Sequence, residues 1–145
     1  MSLIQNKKAN FDYEIIRRIE AGIELLGFEV KSLKLGQGSL VGSHVVVRAG
    51  EAFVINMNIP PYQIGNTPKE YDPLRSRRLL LTKKEIKTLT EVENQIGLTI
   101  VPTSVYNKGK KLKLEIAIVR GKKKFDKRET IKKRDTDREI RRELK

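Results

Sequence analysis

The stretch LTIVPTSVYNKGKKLKLEIAIVR, residues 98–120, decides the fold. Its second half sets Leu112, Leu114, Ile116 and Ile118 against Lys111, Lys113, Glu115 and Ala117. An extended chain turns successive side chains to opposite faces, so this period of two describes a half-buried strand. Asn107-Lys108-Gly109-Lys110 just before it is turn chemistry, which makes Leu98–Tyr106 the partner arm of a hairpin. Upstream, Val45–Val47 and Ala52–Ile55 flank Arg48-Ala49-Gly50-Glu51 as a second hairpin.

Phe11, Tyr13, Ile15, Ile19, Ala21, Ile23 and Leu25 all fall on odd positions, as in a long strand. Ile15, Ile16, Ile19, Ile23 and Leu26 would also stripe a helix, but Gly22 and the β-branched content favour a strand. One helix is clear. Thr82-x-x-Glu85 is a capping box, Ile86, Leu89, Val92 and Ile96 form one face, and Gly97 supplies the stop. Pro60 to Pro73 reads as a loop, and Gly36-Gln37-Gly38 as a turn without the residues of a phosphate-cradling loop. Many short strands with one good helix predict a mainly β fold: a small OB-like antiparallel β-barrel with peripheral helices.

Length and composition suit one such domain, with 145 residues, 38% hydrophobic and 34% charged. No apolar run approaches the roughly 18 to 20 residues of a membrane span. Lys7 and Lys8 interrupt the N-terminus as no signal peptide would be interrupted, and the absence of cysteine suits a reducing cytoplasm, so a cytoplasmic protein is expected. Thirty-one Lys and Arg against 18 Asp and Glu leave a net charge of +13, which makes a polyanion, above all nucleic acid, the expected partner. No stretch pairs this charge with a broad apolar face, which argues against a membrane surface. From Arg120 to Lys145 there are 13 basic and 6 acidic residues and only Phe125, Ile131, Ile140 and Leu144 as large apolar ones. That is too little to bury, so residues 1–119 are expected to form the barrel and 120–145 a basic tail, mobile without a partner.

An enzymatic role finds little support. The single histidine, His44, has no second His or Cys to share a metal with and reads as a strand-edge side chain. Glu20, Glu24 and Glu29 could serve a metal-dependent nuclease, but acidic residues so spaced are common. No catalytic residues, metal or cofactor are therefore expected. Five basic patches stand out instead: Lys7-Lys8, Arg17-Arg18, Arg75-x-Arg77-Arg78, Lys108–Lys113 and Lys122-Lys123-Lys124. Tyr13, Tyr62, Tyr71, Tyr106 and Phe125 lie among them, and RNA-binding proteins stack bases on such rings. Tyr13 and Tyr106 sit in apolar strands, where a core role competes, whereas the surroundings of Phe125 are too polar to bury it.

The order of motifs resembles a known family. Asn6-Lys7-Lys8-Ala9, Glu20-Ala21-Gly22-Ile23, Glu29-Val30-Lys31-Ser32-Leu33 and Pro60-Pro61-Tyr62 occur in sequence. The segments 72–81 (DPLRSRRLLL), 97–102 (GLTIVP) and 121–128 (GKKKFDKR) complete a series similar to that of the SsrA-binding protein (small protein B) family. Arg78 stands where that family usually has Lys, His44 where Tyr is usual, Asn107 where an aromatic is common, and Phe125 where Tyr or His is typical.

The resemblance implies an OB-like barrel that binds the tRNA-like domain of tmRNA and brings it to stalled ribosomes in trans-translation. It places Asn6, Lys7, Lys8, Glu20, Arg75, Lys122, Lys123 and Lys124 in RNA binding. Phe125, Asp126, Lys127 and Arg128 then stand at the decoding centre, followed by a tail that becomes helical along the empty mRNA channel. The implied partners are tmRNA and ribosomal RNA, with the protein acting as a monomer. Composition by itself stops at an RNA-binding OB-like protein, so a ribosomal protein bound to ribosomal RNA is the neighbouring alternative.

Overall fold

A computed structural model describes residues 2–121. Along the chain run β1 (Ser2–Gln5), α1 (Lys7–Asp12), β2 (Tyr13–Ile23), α2 (Gly27–Lys34), β3 (His44–Arg48) and β4 (Glu51–Ile55). A 3-10 turn (Ile64–Asn66), β5 (Arg77–Leu80), α3 (Lys83–Glu93), β6 (Leu98–Lys108) and β7 (Lys111–Gly121) follow. Arg120 and Gly121, the first two residues of the expected tail, belong to β7; the rest of it, residues 122–145 with the decoding-centre residues Phe125 to Arg128, lies outside the described residues.

Both expected hairpins form. β6 pairs with β7 from Leu98↔Arg120 to Lys108↔Lys111, and β3 with β4 from His44↔Ile55 to Arg48↔Glu51. In the second turn Ala49 and Gly50 both have positive φ, 53° and 75°, the twist that lets a two-residue turn join antiparallel strands without splaying them. The residues from Phe11 divide: Phe11 and Asp12 end α1, and the strand begins at Tyr13. A bulge between Ile15 and Arg17 shifts the phase of β2. Ile15 therefore packs on one side of the sheet, and Ile19, Ala21 and Ile23 face the main core on the other.

All seven strands join one antiparallel sheet in the order β1-β6-β7-β2-β5-β4-β3. The sheet curls until β3 lies against β6, with α3 packed on both, giving the OB-like barrel. No backbone ladder closes this seam among the described residues. Asn6 spans part of it, its Nδ2 donating to Leu40 O at 3.3 Å and to Pro102 O at 3.0 Å. At the other side of the sheet Gly22 faces Leu80 so closely that a Cβ would sit 3.0 Å from the Leu80 Cβ, so the β2–β5 approach needs glycine there.

Two helices escape the sequence patterns, α1 and α2. α1 has six residues, too few to show a period. α2 starts after Leu26 and carries no Ser, Thr, Asp or Asn cap; the Glu29 carboxylate, accepting from Leu26 N–H at 2.8 Å, does that work from inside the helix. α3 has the expected reciprocal Thr82–Glu85 box, and Leu89 and Val92 are buried. Its expected fourth apolar residue is misplaced. The helix ends at Glu93, one turn early, and Ile96 stands fully exposed in the turn into β6. Leu89→Ala should therefore cost about 2–5 kcal/mol of unfolding free energy. Ile96→Ala should stay within about 0.5 kcal/mol, with urea denaturation as the measurement for both.

Candidate nucleic-acid interface

β7 has one apolar and one divided face. Leu112, Leu114, Ile116 and Ile118 point into the barrel core. On the outer face Ala117 and Val119 join Val101 of β6 and Ala9 of α1 in a small cluster, so α1 covers that end of the sheet. The rest of the same face stays polar. Register places Ser104, Glu115 and Glu20 in one row across β6, β7 and β2, and Tyr106, Lys113 and Gly22 in the next.

Glu20 and Glu115 are thus direct cross-strand neighbours of like charge, a pairing that needs compensation. It comes from both sides. Arg18 Nη1 lies 2.6 Å from the Glu115 Oε1, and Lys108 Nζ lies 2.9 Å from the Glu20 Oε1. Tyr106 reaches across β7 and donates its hydroxyl proton to Glu20 Oε2. These hydrogen bonds, from Tyr106 first and Lys108 next, hold the Glu20 carboxyl below its ordinary value. Burial and the Glu20 bond together push the Tyr106 hydroxyl up, so it stays protonated. Lys7 of α1 shares a shallow cavity of about 240 Å³ with Arg18 and Glu115. On the far side, Arg78 and Lys113 border a second cavity of about 380 Å³ with Glu20 and Leu80. Lys7, Arg18, Glu20, Tyr106, Lys108, Lys113 and Arg78 therefore border one outer surface, cationic in balance.

The expected site residues fall into four groups. Lys7 and Lys8 are exposed on α1, and Lys7 adjoins the strip that carries Glu20. Asn6 is buried, its backbone and side chain fastening the chain to Thr103, Pro102 and Leu40, while its Oδ1 has no donor among the described residues. Arg75 belongs to a separate cluster around Glu29. Lys122, Lys123 and Lys124, with Phe125, Asp126, Lys127 and Arg128, lie outside the described residues.

The Glu29 cluster corrects one expected patch, because Arg77 is not on the surface at all. Arg77 is 0% exposed. Its Nε donates to Glu29 Oε2 at 2.8 Å, and its other donors reach Met57 O, Pro73 O and the Tyr71 hydroxyl. The Tyr71 hydroxyl, with one proton to give, lies 2.8 Å from both Glu29 Oε2 and Ile59 O, and its ring sits edge-on to Phe28, so it is a structural residue and not a stacking platform. Burial raises the Glu29 carboxyl, but the donors from Arg75, the Leu26 N–H and Arg77 outweigh it and bring the value down to about 2. Tyr71, buried beside that carboxylate, is pushed up to about 12. A signal for this cluster was present in the sequence: Arg77 is in phase with Leu79, so on a strand it must point the same way, into the core.

The three carboxylates considered for a nuclease are scattered. Glu20 is on the outer strip, Glu29 is buried on its arginines, and Glu24 pairs with Arg78. His44 begins β3, an end strand of the sheet, half-buried. Among the described residues no group of three His, Asp or Glu is placed to hold a metal, and no helix is long and apolar enough to cross a membrane.

An OB-like barrel with a cationic outer face defines the class: a nucleic-acid-binding OB-like protein. Residues 3–145 match the family model described as SmpB protein. The SsrA-binding protein of Malacoplasma penetrans is 48% identical over 99% of this chain and 97% of its own length. That of Chlorobaculum tepidum is 50% identical over 97% and 89%, and that of Acetivibrio thermocellus 51% identical over 97% and 91%. A solved structure described as "tmRNA-SmpB: a journey to the center of the bacterial ribosome" superposes with a TM-score of 0.70 at 40% identity, covering 83% of this chain and 85% of the other. The chain belongs to the SmpB family.

The depressed carboxyl of Glu29 has a direct consequence for acid stability. A carboxylate with a lowered folded value contributes stability above its unfolded value and loses it as pH falls through the folded one. Glu29 should support the barrel fully above its ordinary 4.5 and progressively less toward about 2. Urea midpoints recorded across that range should fall for the natural protein. Glu29→Gln should cost about 3–5 kcal/mol at pH 7, because it leaves Arg77 buried without a counter-charge, and should flatten the acid decline.

Proposed function

We propose that this chain binds the tRNA-like domain of tmRNA and delivers it to stalled ribosomes in trans-translation. The observation that carries this function is the similarity to SsrA-binding proteins along nearly the whole chain, at about half identity. The outer strip supplies the matching physics. A folded RNA elbow is recognised by its shape and phosphates, which calls for a rigid surface with cations at its edges. Lys7, Arg18, Lys108 and Lys113 provide the charge, and the β6–β7–β2 ladder provides the rigidity. Lys8 on α1 and Arg75, two residues before β5, add further phosphate contacts. Asn6 acts from within, by holding α1 in place. Glu20 acts by holding Tyr106 and Lys108 against the sheet, so its negative charge is spent inside the protein.

The tail carries the second half of the function. Lys122, Lys123 and Lys124 bind RNA phosphates, while Phe125, Asp126, Lys127 and Arg128 meet the decoding centre, the ring stacking on a base. The remaining residues follow the empty mRNA channel as a helix, where phosphates offset the repulsion among Lys and Arg. The protein works in the cytoplasm as a monomer, without cofactor and without a catalytic step.

Two experiments test this. Affinity for a tRNA-like RNA should fall steeply as salt is raised, and replacing Lys7 and Lys8 by Gln should flatten the log–log slope by about two; a salt-independent affinity would remove the cationic surface from the interface. Truncation after Gly121 keeps the β7 ladder whole and should abolish tagging on stalled ribosomes while retaining most of the tmRNA affinity. Normal tagging by the truncated protein would refute the role of the tail.

A further inference from the structure

Directly paired residues of antiparallel strands point to the same face of a sheet. The register of β3, β4 and β5 therefore sets His44 beside Ile55, Val46 beside Phe53 and Arg78, and Arg48 beside Glu51 on the outside of the barrel. Val45, Ala52, Val54 and Leu79 fill the core from the other side of the same strands. Val46, Phe53 and Ile55 belong to neither apolar cluster. Among the described residues the helices lie elsewhere: α1 on β2 and β6, α2 on β1, and α3 on β6 and β3, where its Leu89 and Val92 enter the core. Three neighbouring apolar side chains on an outer face are thus left without a cover. At its His44 end the row meets a cavity of about 390 Å³, whose rim carries Val41, 58% exposed.

Charge separates this face from the cationic strip. Arg78, where the two surfaces meet, lies 3.2 Å from Glu24 Oε1 and 3.4 Å from Glu51 Oε1. At the opposite end Arg48 Nη1 lies 3.2 Å from Glu93 Oε2. Two arginines stand here against three carboxylates, in a chain where Lys and Arg outnumber Asp and Glu by 31 to 18. The cavity adds one charge of each sign, Lys8 and Asp12. A nucleic-acid strand requires unmatched cations along its backbone as well as a ring to stack on. Phe53 offers the ring, but the arginines beside it are already matched. An apolar centre inside a polar rim is instead the anatomy of a protein interface, and a rim with more carboxylates than cations favours a basic partner.

We infer that the outer face of β3 and β4 is a docking surface for a basic protein of the ribosome. The partner packs apolar side chains on Val46, Phe53 and Ile55 and sets lysine or arginine against Glu51 and Glu24. One barrel then carries two surfaces of different chemistry, a cationic one for RNA and an apolar, acid-rimmed one for protein. The inference rests on the delivery to ribosomes proposed above, which names the ribosome as the source of the partner.

The test is photo-crosslinking with the full chain, bound to tmRNA on purified stalled ribosomes, with a benzophenone-bearing phenylalanine in place of Phe53. Irradiation should join position 53 to a ribosomal protein of net positive charge, identified by mass spectrometry. A crosslink to RNA, to a second copy of this chain or to its own residues 122–145 overturns the inference, as does the absence of any crosslink. Val46→Lys supplies the second measurement, because it sets a cation where a basic partner packs. It should leave tmRNA affinity within about twofold and weaken association of the complex with stalled ribosomes about tenfold. Tighter association gives the face to RNA and overturns the inference, and unchanged association overturns it too. If circular dichroism shows that Val46→Lys does not fold, the crosslink decides alone. Natural protein that brings no tmRNA to ribosomes removes the parent function and this inference together. Natural protein that delivers tmRNA but gives none of the expected results at positions 46 and 53 removes only the inference.

Discussion

Side-chain alternation along β7 is the constraint from which the rest of this molecule follows. β7 pairs with β6 on one side and β2 on the other for nearly its whole length, so each of its residues has a fixed face and fixed neighbours. Leu112, Leu114, Ile116 and Ile118 commit one face to the barrel interior. The other face changes character halfway. Ala117 and Val119 are apolar and need a cover, which α1 supplies through Ala9, whereas Lys113 and Glu115 need solvent and ionic partners. The switch in polarity on a single strand therefore decides both where a helix sits and where a polar binding surface begins.

Phase is kept by register and adjusted by bulges. A slip of one residue along a strand exchanges its inner and outer side chains, which here would put Lys113 and Glu115 in the core. The bulge between Ile15 and Arg17 lets β2 serve both clusters with residues of the same parity, Ile15 beneath α1 and Ile19 in the main core. At the seam, where β3 lies against β6 without a ladder, the buried side chain of Asn6 fastens the loop at Leu40 to Pro102 of β6. The same residue begins α1, its carbonyl accepting from Ala9 N–H, so the seam and the helix are fixed together.

Carboxylates do unusual work in a chain so rich in cations. Glu29 ties α2 to Arg77 at the start of β5 and, through Tyr71, to the long loop before it. Taking such a pair out of water is costly, and it persists because every donor of Arg77 near the carboxylate has a partner. Glu20 serves at the surface in the same sense, restraining Tyr106 and Lys108. A basic surface without internal acceptors would present long, mobile side chains; these two carboxylates give part of it a fixed shape.

The sequence by itself determined the elements whose pattern is local. The alternation in 111–118, the turn residues at 48–51 and 107–110, and the Thr82–Glu85 cap each depend on neighbours a few residues apart, and each is found where its pattern places it. Family membership was legible too, because an ordered series of motifs is a property of the chain and not of its packing. What depended on distant partners was not legible. α2 has no side-chain cap of the usual kind and owes its first turn to Glu29, a residue fixed by arginines 46 and 48 positions away. Arg77 looked like part of a surface patch beside Arg75 and Arg78, and Ile96 like a core residue; packing buried the first and exposed the second. Charge and hydropathy state what a side chain requires, water, a counter-ion or an apolar neighbour, but only the closed chain decides which of these it meets.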